Sequence, residues 1–375
     1  MDVTQAIVGI IGDGQLALML AESLQKFDIK FRCLSVAKNS PMMREFPKHT
    51  TLDYKSFQSE CTVFTLENEF QTTEELEKLL LDKTQYLFPD LPSYQHFSDK
   101  ISQRQLFSSL NIPSPKWMAL TLESQIPQVR ANFSYPFVLK ASQGGYDGKG
   151  VCIVKNDEEF ASGLKNFGFH LGKPQLIEEM VAIKKEIAQG FVRNIEGQFT
   201  LLPLVDTIQE NGVCNFVYYP ADVSENVGTQ VKDCLKKLIN FGLNGIFNFE
   251  FFVNQNDEVF INEGAPRPHN SQHLTIDASD YSQFDLLALY LGRPTQAPLQ
   301  TQTHSSGMIN ILGKSSGPGY TLTLPQISGV EVHPKTYGKE LCSPRRKMGH
   351  VNIVDPSGKE DLRRIAEKIF KEYYI

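Results

Sequence analysis

Long apolar runs are missing from this sequence, and none of its stretches approaches the ~18 residues needed to span a bilayer. The first apolar segment is interrupted by Gly12, Asp13, Gly14 and Gln15, with neither a basic leader nor a small-residue cleavage pattern, so the chain reads as cytoplasmic with no membrane partner. An excess of basic charge is missing as well. The formal net charge of −6 provides no general field for nucleic acid, so any anionic substrate must be held by a local basic cluster. Paired cysteines are the third absence: Cys33, Cys61, Cys152, Cys214, Cys234 and Cys342 are scattered without a C-x-x-C, and read as buried free thiols rather than disulfides. The composition is otherwise that of a globular protein, and 375 residues give room for two or three domains and for a large enzyme.

The stretch IVGIIGDGQLALML, residues 7–20, joins a β-rich segment to a helix with one broad apolar face through a glycine turn. Gly12, Gly14 and Ala17 match G-x-G-x-x-A, in which glycines let a helix amino terminus approach a phosphate. A NAD site would also place an acid at the end of the second strand, residues 30–36, yet Ser35-Val36-Ala37-Lys38 stand there. The ribose acceptor is absent, which favours a Rossmann-like layer with a different ligand. A third strand, residues 61–65, runs into Glu67-Asn68-Glu69 at the carboxyl edge, where such sheets place ligands.

From residue 96 the pattern changes. SDKISQRQLFSSLNIPSP reads as a capped helix with a proline-rich exit, and YPFVLKASQGGYDGKGVCIV as a hairpin with a long glycine loop. No G-K-[ST] opens a helix after it, so this is not a Walker loop. Gly144, Gly145, Gly148 and Gly150 still allow backbone N–H groups to fold over oxyanions, with Lys140 and Lys149 supplying charge; an exposed turn with incidental glycines is the plain alternative. QLIEEMV then gives a short strand ending in Glu178 and Glu179, with Glu186 eight residues after Glu178, a spacing compatible with an adenine hinge or with solvated surface glutamates.

GIFNFEFFVNQNDEVFINEGAPRPHN reads as two strands joined by a turn at residues 254–257. A turn centred between Asn256 and Asp257 sets Glu250 opposite Glu263 on one face, an arrangement that is unfavourable without a cation between the carboxylates. Hard oxygen ligands point to Mg²⁺ with a nucleotide, Asn262 adding a further oxygen, as against a solvated edge pair. Arg267, His269 and Asn270 follow in a proline-stiffened turn suited to an anion. His269 and His273 have zinc spacing, but Pro266 and Pro268 exclude a helix and no third ligand is evident. In the carboxyl-terminal segment, Lys335, Lys339, Arg345, Arg346 and Lys347 make the densest basic cluster, a solvated β edge or a site for a phosphorylated substrate.

Taken together and in order, GDGQL, the T-x-E-x-E element at residues 65–69, SQGGYDGKG, NEGAPRPHNS and YGKELCSPRRKMGH closely resemble the N5-carboxyaminoimidazole ribonucleotide synthetases, a family of ATP-grasp enzymes, over nearly the whole chain. The resemblance implies an α/β and α+β multidomain fold: a Rossmann-like domain at 1–95, an ATP-grasp domain at 96–294 with its glycine-loop subdomain at about 113–180, and a small β-rich domain at 295–375. It implies MgATP-dependent carboxylation of 5-aminoimidazole ribonucleotide with bicarbonate through carboxyphosphate, giving ADP and phosphate, by a homodimer whose product passes to a mutase of the same pathway.

Carried onto this sequence, the resemblance assigns Lys100, Lys140, Gly144, Gly145, Gly148, Glu178, Glu179, Val181, Glu186 and Asn262 to ATP, and Glu250 and Glu263 to magnesium. The ribonucleotide falls to Gly14, Gln15, Leu16, Glu67, Tyr146, Asp147, Lys149, Arg267, His269, Asn270, Ser271, Lys339 and Arg346. Of these, Arg267, Asp147 and Lys149 are the catalytic candidates: Arg267 for the bicarbonate-derived anion, Asp147 for the attacking amine. Phosphoryl transfer needs charge neutralisation and alignment more than a strong base, and carboxyphosphate needs water excluded.

Three positions depart from the family pattern. Gly264 replaces a bulky aliphatic residue, which is expected to loosen the metal strand; the acid after the second strand is absent; and Ser142-Gln143 replaces a basic residue in the loop. The rival readings are a formate-dependent glycinamide ribonucleotide transformylase, a carboxylase subunit, a Rossmann oxidoreductase and a non-catalytic nucleotide sensor.

Overall fold

The computed structural model describes residues 6–144, 150–210, 212–319 and 327–373. Strands β1 (Val8–Ile11), β2 (Phe31–Leu34), β3 (Thr50–Thr51), β4 (Val63–Leu66) and β5 (Tyr86–Leu87) form a parallel sheet in the order β3-β2-β1-β4-β5. Near-continuous apolar runs in β1 and β4 fit strands covered on both faces. The third long strand begins two residues later than its apolar pattern predicts. Cys61 closes the preceding helix by donating to the Phe57 carbonyl, and the Thr62 hydroxyl accepts from Ile7 N–H at 3.0 Å, so pairing starts at Val63.

Beyond helix Lys100–Ser109, β6 (Trp117–Leu120), β7 (Phe137–Ala141), β8 (Val151–Val154) and β9 (Gln175–Glu179) make an antiparallel sheet in the order β6-β9-β7-β8. This sheet carries the glycine loop between β7 and β8. Its apolar face packs Leu139 and Ile177 on Val129 and Phe160 of two flanking helices.

The largest sheet collects β10 (Ile183–Arg193), β11 (Phe199–Leu201), β12 (Val205–Glu210), β13 (Val213–Tyr219), β14 (Gly245–Asn254), β15 (Val259–Ala265), β16 (Ser305–Leu312), β18 (Glu331–Thr336) and β20 (Lys347–Asp355). The short β17 (Gly317–Pro318) and β19 (Leu341–Cys342) pair separately. Helix Glu225–Phe241 buries Val227, Val231, Cys234, Leu235 and Leu238, one face at helical spacing, in the same core as Phe247, Phe249 and Phe251 of β14. With period 2, that burial turns Asn248, Glu250 and Phe252 toward the opposite side.

The carboxyl-terminal strands have no separate large sheet of their own. β16 pairs β13 and β20 pairs β16, so they extend the largest sheet across residue 295, while helix Leu362–Tyr373 covers them through Leu362, Ala366 and Ile369. Helix Gln283–Gly292, buried along its length, packs on helix Gln15–Lys26 and shares one core with β1, tying the amino-terminal sheet to the rest. Among the described residues, no helix is long and apolar enough to cross a membrane. The six cysteines are free thiols.

Candidate functional site

A cleft of about 1640 Å³ lies where the three sheets converge, bordered by Gly14, Gln15 and Leu16, by Lys100 and Lys140, by Glu250 and Glu263, and by Lys339 and Arg346. It gathers the described residues assigned above to the nucleotide, the metal and the ribonucleotide. Gly145, Tyr146, Asp147, Gly148 and Lys149 lie outside the described residues.

At the amino-terminal edge, the glycine turn already holds an anion of its own. Glu67, just beyond β4, accepts from Gly14 N–H at 2.7 Å and from Leu16 N–H at 3.2 Å, filling the helix amino terminus where a pyrophosphate would lie. A Cβ on Gly12 or Gly14 would collide with this side chain, and Gly12 has φ +114°, so the glycines serve an internal carboxylate. Burial raises the Glu67 pKa and the Gly14 and Leu16 N–H groups oppose it. Asp13 accepts from Val36 N–H at 3.1 Å and from the Ser35 hydroxyl, which accounts for the second strand ending without an acid.

Glu250 and Glu263 are cross-strand neighbours, as the spacing predicts, and the turn runs over residues 254–257, Asp257 N–H donating to the Asn254 carbonyl at 3.2 Å, but the ladder next to it centres on Asn256. Val253 pairs with Val259, so a uniform ladder would set Asn262 opposite Glu250; a bulge at Asn262 restores Glu263 to that place. Both residues thereby face the cleft, with Asn262 Nδ2 3.5 Å from Glu250. Burial and the neighbouring Glu263 raise the pKa of Glu250. Burial works the same way on Glu263, but Lys100, whose ammonium rests on it, and Lys140 outweigh burial and lower its pKa. Opposed carboxylates, one of them already bridged by an ammonium, are hard oxygen donors that fit a divalent cation completed by phosphate oxygens, with the Asn262 amide beside them, its Nδ2 toward Glu250 and its Oδ1 accepting from Lys140. Among the described residues, no three His, Cys, Asp or Glu side chains are placed to hold a metal by themselves.

Gly264 does not loosen this strand. A Cβ there would lie 2.6 Å from the Phe97 ring and 2.8 Å from Phe249, so two aromatic rings occupy the volume of the expected aliphatic side chain. Gln103 then holds the strand from both sides, donating to the Gly264 carbonyl at 3.1 Å and accepting its N–H at 2.9 Å.

Glu178 differs from its reading as a nucleotide contact. It is 2% exposed, and its carboxylate is held by Arg104 and Lys140. Lys140 donates to Asn262 Oδ1 at 3.0 Å, and burial lowers its pKa although Glu178 opposes this. Glu179, Met180 and Val181 border the cleft beyond it. Val138, Ile153, Met180, Ile183 and Phe252 give the same region apolar walls, and Met180, Ile153 and Ile183 are exposed. Exposed apolar side chains lining a concave polar cleft suit a flat aromatic base. Glu186 also lies there, its pKa raised to about 7 by burial and by Glu263. Gly144 has φ +75° and open space where a Cβ would project.

Arg267, which also borders the cleft, is bidentate to Glu69, with Nη2 to Oε1 at 3.0 Å. His269 is held by its backbone, N–H to Gln283 Oε1 at 2.8 Å, and by its ring, whose Nδ1 accepts from Ser271 N–H at 3.3 Å. That leaves Nε2 facing Glu250 at 3.6 Å, and burial together with Arg267 lowers the ring's pKa to about 3, so the imidazole is neutral. Ser271 is 1% exposed and engages His269 through both N–H and hydroxyl, so it positions that ring. Asn270 and the buried Asn310 exchange amide hydrogen bonds at 2.9 and 2.7 Å. Lys339 donates to the Lys347 carbonyl at 2.7 Å and Arg346 to the Leu341 carbonyl at 2.6 Å, placing the basic hairpin along the cleft.

Several site residues escape the sequence reading. Glu69 lay in the acidic element but only its contact with Arg267 gives it a role. Lys347 was one of five basic residues in a run; the fold sets its charge near Glu250 and His269. Arg104 and the apolar walls carried no motif at all.

The comparisons agree with this geometry. The ATP-grasp domain model matches residues 105–284 and the phosphoribosylaminoimidazole carboxylase C-terminal domain model matches residues 306–364. A phosphoribosylaminoimidazole carboxylase of Schizosaccharomyces pombe is 32% identical over 96% of the chain, which spans 66% of that longer relative. An N5-carboxyaminoimidazole ribonucleotide synthase of Staphylococcus aureus is 30% identical over 93% of this chain and 92% of its own. The structure of the Staphylococcus aureus N5-carboxyaminoimidazole synthetase with ADP superposes with a TM-score of 0.82 at 26% identity, over 98% of this chain and 96% of that one. An Aspergillus clavatus N5-carboxyaminoimidazole synthase in complex with ADP and 5-aminoimidazole ribonucleotide gives 0.79 at 25% identity, over 98% and 100%.

Proposed function

The chain belongs to the ATP-grasp family of N5-carboxyaminoimidazole ribonucleotide synthases, and from that premise we propose that it carboxylates 5-aminoimidazole ribonucleotide with bicarbonate, converting ATP to ADP and phosphate. One observation carries the reading. A single cleft gathers the Glu250–Glu263 pair and two lysines together with Arg267 and the basic hairpin.

Lys140 and Lys100 face the phosphates, Glu186 takes the nucleotide ribose, and the apolar walls between Val138 and Phe252 hold the base. Glu250, Glu263 and Asn262 would hold magnesium, which would supply charge neutralisation for the phosphate oxygens. Bicarbonate oxygen attacks the γ-phosphorus and ADP leaves, giving carboxyphosphate. Arg267, oriented by Glu69, stabilises that anion, and neutral His269 donates a hydrogen bond without adding charge. The exocyclic amine of the ribonucleotide then attacks the carboxyl carbon, the bond from that carbon to the phosphate oxygen breaks and the amine proton leaves to the departing phosphate, while Lys339 and Arg346 hold the 5′-phosphate. Carboxyphosphate needs water excluded, a role the family resemblance gives to the glycine loop, whose Tyr146, Asp147 and Lys149 lie outside the described residues. The same reading carries a cytoplasmic homodimer that hands its product to a mutase.

ADP release with MgATP and bicarbonate, measured with and without 5-aminoimidazole ribonucleotide, tests this. Stimulation by the ribonucleotide, with labelled bicarbonate entering an acid-labile carbamate, is the expected result. Stimulation by glycinamide ribonucleotide and formate alone would keep the nucleotide site and move the second substrate.

A further inference from the structure

Arg104 lies one turn after Lys100 on helix Lys100–Ser109 and is 1% exposed. Its Nε donates to Glu178 Oε1 and its Nη2 to the Asn262 carbonyl at 2.6 Å. The other Glu178 oxygen accepts from Lys140 at 2.7 Å, and Lys140 donates to Asn262 Oδ1 at 3.0 Å. The four residues close a ring joining the connecting helix, the glycine-loop sheet and β15.

Charge within the ring is unbalanced. Two cations share one carboxylate, so the ring itself carries one surplus positive charge, which faces the cleft carboxylates Glu186 and Glu250 rather than a partner inside the ring. A buried surplus charge is unfavourable until an anion joins it. Arg104 is closed off behind Glu178, whereas Lys140 borders the cleft, so the surplus is presented to the cleft through Lys140. Without Arg104 the remaining Lys140–Glu178 pair would be balanced, and Lys140 would have no charge left over for a ligand.

We infer that Arg104 is a positioning residue for nucleotide phosphate: by engaging Glu178 from behind, it leaves the Lys140 ammonium available to the phosphates without touching them. This rests on the nucleotide site proposed above and is independent of the second substrate.

The test is the affinity of the full-length protein for MgADP and for adenosine, with R104M, R104K and the double variant R104M/E178Q, each checked for an unchanged fold by circular dichroism. R104M is expected to weaken MgADP by about 10-fold or more, as loss of a charge-assisted phosphate contact does. Adenosine binding stays unchanged. R104K, which keeps the charge, retains most of the MgADP affinity. R104M/E178Q, which restores the surplus charge, recovers it. MgADP binding by R104M at the wild-type level, an equal loss of adenosine and MgADP, or no recovery in the double variant would overturn the inference. A wild-type protein that binds neither ligand would overturn the nucleotide site itself, an outcome separate from any difference among variants.

Discussion

Glu67 and Gly14 meet through a hydrogen bond of 2.7 Å, so the turn that resembles a dinucleotide fingerprint is capped by the protein's own carboxylate. Removing that acceptor strands backbone N–H groups at a helix amino terminus. E67A is expected to lower stability by about 1–3 kcal/mol, and E67Q, which keeps one acceptor oxygen, by less. Urea unfolding measures both, and equal losses would separate the cap from the charge-carrying oxygen. NADH fluorescence titration is expected to show no binding to the wild-type protein.

Arg267 is oriented from across the domain junction by Glu69. E69A is expected to raise KM for bicarbonate by about 10- to 100-fold, the range of one charge-assisted hydrogen bond, with KM for ATP little changed. A loss of thermal stability with unchanged bicarbonate kinetics would reduce the pair to a structural tie.

The bulged strand places Glu263 where both Lys100 and Glu250 meet it. E263A is expected to lower ATP turnover by about 10²-fold or more while the circular dichroism spectrum stays unchanged. Chelation of magnesium is expected to abolish turnover in the wild-type protein, with recovery on adding it back. Near-normal activity in folded E263A would remove Glu263 from the metal site.

Lys339 borders the cleft on the basic hairpin. K339A is expected to raise KM for the ribonucleotide by about 10-fold and to leave KM for ATP near its wild-type value. Steady-state kinetics with each substrate varied in turn decides it, and a selective rise for ATP would contradict the placement.

Acid sensitivity follows from His350, which is fully buried against Tyr337, its Nδ1 2.8 Å from the phenol oxygen. Burial lowers its pKa from 6.5 to about 3, with Lys335 adding to the shift. A depressed histidine pKa means the unfolded chain takes up the proton first. Its contribution is therefore complete above pH 6.5 and is lost as pH falls toward 3, with a slope of at most about 1.4 kcal/mol per pH unit. Urea unfolding between pH 7.5 and 5 is expected to show this loss, and a shallower dependence in H350Q assigns it to this residue.

Strands and the Glu250–Glu263 pairing were legible because apolar alternation is a local property: Phe247, Phe249 and Phe251 on one face oblige Glu250 to take the other. The bulge that completes the pairing was not legible, since Asn262 becomes the extra residue only when β14 and β15 are laid together. Gly264 was read as a weakness because the rings of Phe97 and Phe249, distant in sequence, are what fill its place.

The sequence by itself determined the periodicities, the glycine turns and the order of charged motifs, all set by residues within a few positions of one another. Only the tertiary structure decided which charges neutralise which: Glu67 on the Gly14 turn, Glu178 between Arg104 and Lys140, Glu69 on Arg267. Ion pairing and capping depend on distance and burial in three dimensions, and the partners here lie 53 positions apart for the Gly14–Glu67 cap and 74 and 198 for the Arg104–Glu178 and Glu69–Arg267 ion pairs.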